Sequence, residues 1–287
     1  MAYDVVTVAA RSGTGTQAIT GNLGGATPVA VEVYATRGQT LGTPANGACI
    51  STGICDGTNQ RVIVGMAEDN DLFGLAATGR RFDNGKLVQL TATTSEALGG
   101  EAGFSSFSAD TLTIDVTTAF SIAIQLVVVF YYGTGLQAKV GDYSGSTTLN
   151  AEITVSGLGF KPRALKFFTA LNVPSAGGSA SSSSRIGYGV AAVDDADAIT
   201  QFSTGWMDRT NGGTAATACG ASISSTRILQ RVATSAAGAA TIDVEHEMTG
   251  VTSDGFKVTT RVAGAISMNG AYLAIRGASP DAVAMPG

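Results

Sequence analysis

Residues 152–168 read EITVSGLGFKPRALKFF, and a weaker echo, AITGNLGGATPVAVEVY, occupies residues 18–34. Ile153 falls on Ile19, Pro162 on Pro28, and Leu165-Lys166-Phe167 on Val31-Glu32-Val33, all at one separation (153 − 19 = 134). Each copy reads as a short strand, a glycine turn, a proline, and a strand with apolar residues on alternate positions. If the echo runs the length of the chain, the protein is a duplicated β domain.

Later stretches extend it. Residues 227–232 (RILQRV) parallel 86–91 (KLVQLT), 254–258 (DGFKV) parallel 110–114 (DTLTI), and 271–277 (AYLAIRG) parallel 127–133 (VVVFYYG). The last two pairs are 144 apart, so the second copy carries a net insertion of ten residues in its middle (144 − 134 = 10). A Ser/Gly/Ala loop, 174–184, takes the place of 36–59. The acidic run Asp194-Asp195-Ala196-Asp197, after strand 185–193, is matched with Glu68-Asp69-Asn70-Asp71, after strand 61–67. Turn and polar residues over 134–151 set the boundary at Ser144, dividing the chain into 1–143 and 144–287.

Composition fits that reading. Hydrophobic residues make up 44% and charged residues 14%, with Gly at 38 and Pro at 6, which suits many short strands joined by glycine turns. Roughly seven to nine strands are expected per copy, as in an antiparallel β-sandwich of jelly-roll type. The fold class is therefore all-β. A helix over 223–236, where Ile228, Leu229, Val232, Ala233 and Ala236 have helical spacing, is the one rival, and the strand-like counterpart in the first copy argues against it.

No apolar run approaches the ~20 residues of a membrane-spanning helix, and residues 1–30 show no basic start leading into an apolar stretch. Neither a membrane nor a secretory leader is expected. The net charge of −5 argues against a nucleic-acid surface. All of it lies in residues 1–143, with 7 Lys/Arg against 12 Asp/Glu, while 144–287 hold 10 of each.

Chemistry-bearing motifs are sparse. Gly13-x-Gly15-x-x-Ala18 follows a strand like a dinucleotide fingerprint, but three glycines and no helical stripe come next, so a β turn accounts for it better. The one histidine, His246, lies in IDVEHEM (242–248). On a strand it shares a face with Ile242, Val244 and Met248, opposite Asp243, Glu245 and Glu247, which makes it a packed or partner-facing residue rather than a ligand or base. Its counterpart at 144 is Ala102. Cys49 and Cys55 are spaced to close a small disulfide, Cys219 is left over, and zinc spacing is lacking. Asp69, Asp71, Asp194, Asp195 and Asp197 are candidate Ca²⁺ ligands, but Phe73 and Arg80 stand where further ligands belong, and solvated turn carboxylates are the competing reading. Trp206 and Tyr188 are candidate stacking residues for a sugar or an interface. No catalytic residue and no cofactor is expected.

The runs ITVSGLGFKPRALKFF, IGYGVA (186–191), VTSDGFKV (251–258) and AYLAIRG together resemble a group of bacteriophage virion proteins. These carry a Gly-Phe-x-Pro-x-Ala start, a Ser-Asp-Gly-Phe strand and a closing aliphatic strand ending in Gly. The resemblance covers residues 145–278 and, more loosely, 13–135, where Gly24-Gly25-Ala26-Thr27 and Thr111-Leu112 depart from it. It implies a non-enzymatic structural component of a tailed-phage particle, on the virion exterior, packing as a symmetric homo-oligomer with other virion proteins on the tail or as a capsid decoration. The alternative it implies is a glycan- or receptor-binding module of a tail fibre or tail tip, contacting a host-surface glycan.

Overall fold

The structure is a computed structural model and describes residues 2–36, 48–68, 77–91, 98–171, 179–181, 184–209, 218–234, 240–265 and 267–277. The described residues form strands in two runs. The first is β1 (Ala2–Ala9), β2 (Gly15–Thr20), β3 (Ala30–Thr36), β4 (Ala48–Cys55), β5 (Gln60–Glu68), β6 (Ala77–Asp83), β7 (Val88–Thr91), β8 (Leu98–Ser108), β9 (Thr111–Thr118) and β10 (Gln125–Tyr132). The second is β11 (Gln137–Ser144), β12 (Glu152–Val155), β13 (Ala164–Leu171), β14 (Ser179–Ser181), β15 (Ser184–Val193), β16 (Ile199–Arg209), β17 (Ala218–Ser224), β18 (Leu229–Thr234), β19 (Ala240–Thr252), β20 (Gly255–Val262) and β21 (Met268–Arg276). Residues 223–236 contain the end of β17 and all of β18 rather than a helix.

Among the described residues all pairing is antiparallel, in four sheets. In the first repeat an inner sheet has the order β1-β10-β3-β4-β5-β6, and an outer sheet has β2-β9-β8-β7. In the second, the inner sheet has β11-β21-β13-β15-β16-β17 and the outer sheet β12-β20-β19-β18. With β14 set aside the two orders are the same, strand for strand. Pairing of β1 with β10 and β2 with β9 is jelly-roll-like, while β3–β6 and β7–β9 run as meanders. The duplication reaches into the irregularities: the bulges at Leu90/Thr91, Glu101/Ala102 and Phe104/Ser106 recur at Arg231/Val232, Glu245/His246 and Met248/Gly250. Bulges re-aim side chains and are not produced by generic sheet packing, so three shared ones mark a common backbone.

Registers also correct the sequence alignment. β11 pairs with β21, as β1 pairs with β10. The repeats therefore join in the turn between Tyr132 and Gln137, and the expected division at Ser144 falls at the far end of the second repeat's first strand. β4 lies inside the stretch read as a loop, and its counterpart is β15. The acidic run at Asp194 thus sits in the β15–β16 turn and corresponds to the β4–β5 turn at Asp56, not to the run after Glu68. Separations grow from 134 at β3/β13 to 136 at β4/β15 (189 − 53), 141 at β5/β16 (204 − 63) and 144 at β8/β19 (246 − 102).

Each repeat is a sandwich with its own core. Val31, Val33, Val62, Val64, Leu112, Ile114, Val128 and Phe130 are among the residues that fill the first. Leu158, Phe160, Leu165, Phe167, Val244, Met248, Phe256 and Tyr272 are among those of the second. A third cluster joins the repeats, with Ile54, Ile63, Phe82 and Tyr131 from the first and Val140, Phe168, Leu273 and Ile275 from the second. The inner sheets therefore lie face to face, and the layers run outer, inner, inner, outer. Strands covered on both faces lose their alternation: β3 and β21 are buried almost throughout, while β1 alternates half-buried and exposed. β14, from the second repeat, pairs with β6 and extends the first repeat's inner sheet at its edge.

Candidate functional site between the repeats

Two charges stand in the middle of the apolar strands β3 and β13, at equivalent positions and with opposite sign. Glu32 is fully buried, and its Oε1 lies 2.6 Å from Lys166 Nζ of the other repeat. The Tyr131 hydroxyl donates to the same oxygen at 2.6 Å, and the Tyr34 hydroxyl donates to Oε2. Lys166 also donates to the Tyr131 hydroxyl at 2.8 Å and lies 5.4 Å from the centre of that ring. A buried carboxylate is tolerable when its lone pairs are met and a cation is close, and both conditions hold here. Burial, reinforced by the adjacent Glu32 charge, pushes the Tyr34 and Tyr131 phenols well above their ordinary range. They stay protonated as donors. With three donors converging on it the carboxylate has its needs met from within, and the group acts as a clamp between repeats.

A second contact joins equivalent positions: Thr52 Oγ1 lies 3.1 Å from the Tyr188 hydroxyl (188 − 52 = 136). Tyr188 meets Phe168 edge-on at 5.7 Å, so this sugar-stacking candidate lies in the seam between the repeats. At one rim of the seam Arg61 binds both oxygens of Asp142, at 2.5 and 2.9 Å, and Asp56 accepts the Val140 N–H at 2.8 Å. Trp206 is elsewhere, half-buried on β16 opposite Ile186 and Ala221.

The acidic turn is engaged by cations of its own chain. Lys161 lies 2.5 Å from Asp197, Arg163 lies 2.6 Å from Asp195, and Asp194 Oδ1 accepts the N–H groups of Ala196 and Ala198. Arg163 also reaches Asp197 at 3.8 Å, so the carboxylates of Asp194, Asp195 and Asp197 are taken up by backbone amides and basic side chains of the chain itself. Asp69 and Asp71 lie outside the described residues. Cys49 and Cys55 are not joined in a disulfide: both are buried on one strand, six residues apart, about 20 Å along a β ladder and far beyond disulfide reach. Burial pushes the Cys55 thiol up to about 12. Gly15–Thr20 of the glycine-rich string is β2, with no helix to receive a phosphate.

His246 packs in the second core, as its strand face requires, between Val244 and Met248. Ile242 departs from that face and is exposed, because the bulge at Arg231/Val232 shifts the register beyond it. Tyr143 bonds His246 Nδ1, while Nε2 makes no hydrogen bond of ordinary geometry. Burial lowers the imidazole to about 4; the Ser146 carbonyl opposes this and Arg231 adds to it. In the first repeat the same positions hold Ala102 and Val8, so the pair is a repacking of one core and no shared chemistry. A cavity of about 10 Å³ in the second repeat, lined by Thr169, Trp206, Gln230 and Arg231 among others, has room for about one water molecule.

The alignment of Lys166 with Glu32 carries a sequence signal for this clamp. A charge inside an apolar strand in both copies, with opposite signs, marks residues that face each other. The chain matches no protein-family model and no curated protein.

Proposed function

We propose that the protein is a non-enzymatic structural subunit of a tailed-phage particle, packing as an oligomer on the tail or as a capsid decoration. The observation that carries this is the use of the repeated positions. The shared strand order, the paired bulges and the Glu32–Lys166 clamp all serve to build and join two sandwiches. The resemblance of residues 145–278 to virion proteins supplies the setting. Peptide mass spectrometry of gradient-purified particles tests it: the reading expects the chain in the particle fraction at many copies per particle. Recovery only from the soluble fraction would overturn it.

The receptor-binding reading has one observation in its favour, the outward aromatic Phe202 near Trp206 on β16. A glycan array probed with the full chain tests that reading, and binding lost in Trp206→Ala would support it.

A further inference from the structure

The two sandwiches share a backbone but differ in what fills it. The cavity of about 10 Å³ in the second repeat has Thr169 of β13, Arg185 of β15, and Gln230 and Arg231 of β18 in its lining. Their equivalents in the first repeat are Ala35, Cys49, Gln89 and Leu90 (169 − 35 = 134; 185 − 49 = 136; 230 − 89 = 231 − 90 = 141). Ala35, Cys49 and Leu90 are each 2% exposed and belong to the first core. The glutamine is common to both repeats: the Gln89 amide donates to Glu101 at 3.1 Å, and the Gln230 amide donates to Glu245 at 2.6 Å. What sets the second repeat apart is a hydroxyl and two guanidinium groups where the first has a methyl, a thiol and a leucine side chain.

Taking a guanidinium out of water is costly unless its charge and its N–H groups are met, and the first repeat shows that this backbone folds without one here. The surroundings are adapted to the exchange. Arg231 is 5% exposed; its Nε donates to Asp243 Oδ1 at 2.5 Å, and its Nη2 donates to Oδ2. Asp243 is the extra residue of the bulge at Arg231/Val232, the place that Gly99 takes in the first repeat (243 − 99 = 144). Gly187 stands where the first repeat has Ser51 (187 − 51 = 136), and a Cβ there would lie 2.7 Å from Thr169 Oγ1. Loss of one side chain thus makes room for the hydroxyl of another. Five linked changes convert a piece of apolar core into a polar chamber.

We propose that this chamber is an anion site: it takes one monatomic anion of the halide class, held by Arg185, Arg231 and the Thr169 hydroxyl. Guanidinium groups offer donors only, and a hydroxyl can turn its proton toward an anion. The cavity admits an occupant of about the size of one water molecule, too small for a phosphate, a sulfate or a sugar acid. Asp243 fixes the Arg231 guanidinium in place before the ion arrives. The site goes beyond the virion reading and does not depend on it.

Crystals of the full chain grown with bromide in place of chloride test the proposal. Anomalous scattering should place a bromide ion in the cavity, in contact with both guanidinium groups. In solution, the melting temperature should rise to a plateau with added chloride and stay level in gluconate, which is too large to enter, at the same ionic strength. Arg231→Leu with Asp243→Gly installs the residues of the first repeat and should abolish the chloride response. Thr169→Ala should weaken it, and this variant serves if the double variant does not fold. Bromide only at the protein surface, a water molecule in the cavity without anomalous signal, equal responses to chloride and gluconate, or a chloride response unchanged in the variants would each overturn the proposal.

Discussion

Gly53 and Gly189 sit where an inner sheet comes closest to its outer partner. A Cβ on Gly53 would lie 1.7 Å from the Leu87 carbonyl oxygen, and one on Gly189 would lie 1.6 Å from that of Ile228. The clash is with backbone, which cannot rotate away, so Gly189→Ala should cost on the order of 1–3 kcal/mol, measured by denaturant unfolding. His246 offers a different handle. Its folded value of about 4 lies below the unfolded 6.5, so between these limits the unfolded chain binds the extra proton. That stability is fully present above pH 6.5 and is lost as pH falls toward 4, by on the order of 3 kcal/mol. The loss should vanish in His246→Phe if unfolding is compared at pH 7 and pH 5. Cys55, held protonated by burial, should resist alkylation in the native state and react only on unfolding, read by peptide mapping.

Elements are tied by paired devices. Asp110, before β9, accepts the N–H groups of Leu23 and Gly25 at 2.8 and 2.9 Å. Asp254, before β20, accepts those of Gly157 and Gly159 at 2.9 and 2.6 Å. Gly25 and Gly159 both have positive φ, 84° and 77°, a conformation that favours glycine and brings those N–H groups round to the carboxylate. The two amide bonds hold the Asp254 carboxyl below the usual carboxylate range. Asp254→Ala should lower the melting temperature more than Asp254→Asn, which keeps an acceptor, and Asp110 should behave alike. The Gly-Phe-x-Pro and Ser-Asp-Gly-Phe runs were legible in sequence as separate motifs; only the structure joins them, because the bonds cross nearly a hundred residues. Strands with strong alternation or β-branched runs, such as β3, β9 and β10, were legible too. β4 was not, since ACISTGIC has only Ile50, Thr52 and Ile54 as strong strand formers and follows a glycine-rich stretch. Missing it shifted the acidic turns against each other.

At the scale of the molecule, four layers depend on a central seam that mixes apolar packing with the Glu32–Lys166 ion pair. Lys166→Met leaves Glu32 buried beside two phenols and without its cation, and should cost on the order of 2 kcal/mol. Replacing both, as Glu32→Leu with Lys166→Met, should recover much of that loss in a double-mutant cycle, since no uncompensated charge remains. Doubling of the domain was legible in sequence from Pro162 on Pro28. The stacking of the two inner sheets was not, because contacts between sheets leave no fixed spacing along a chain. Denaturant unfolding of the four forms of the Glu32/Lys166 cycle tests the seam most directly: the two single losses together should exceed the loss in the double variant by about 1 kcal/mol or more, and strictly additive losses would contradict a clamp that joins the repeats.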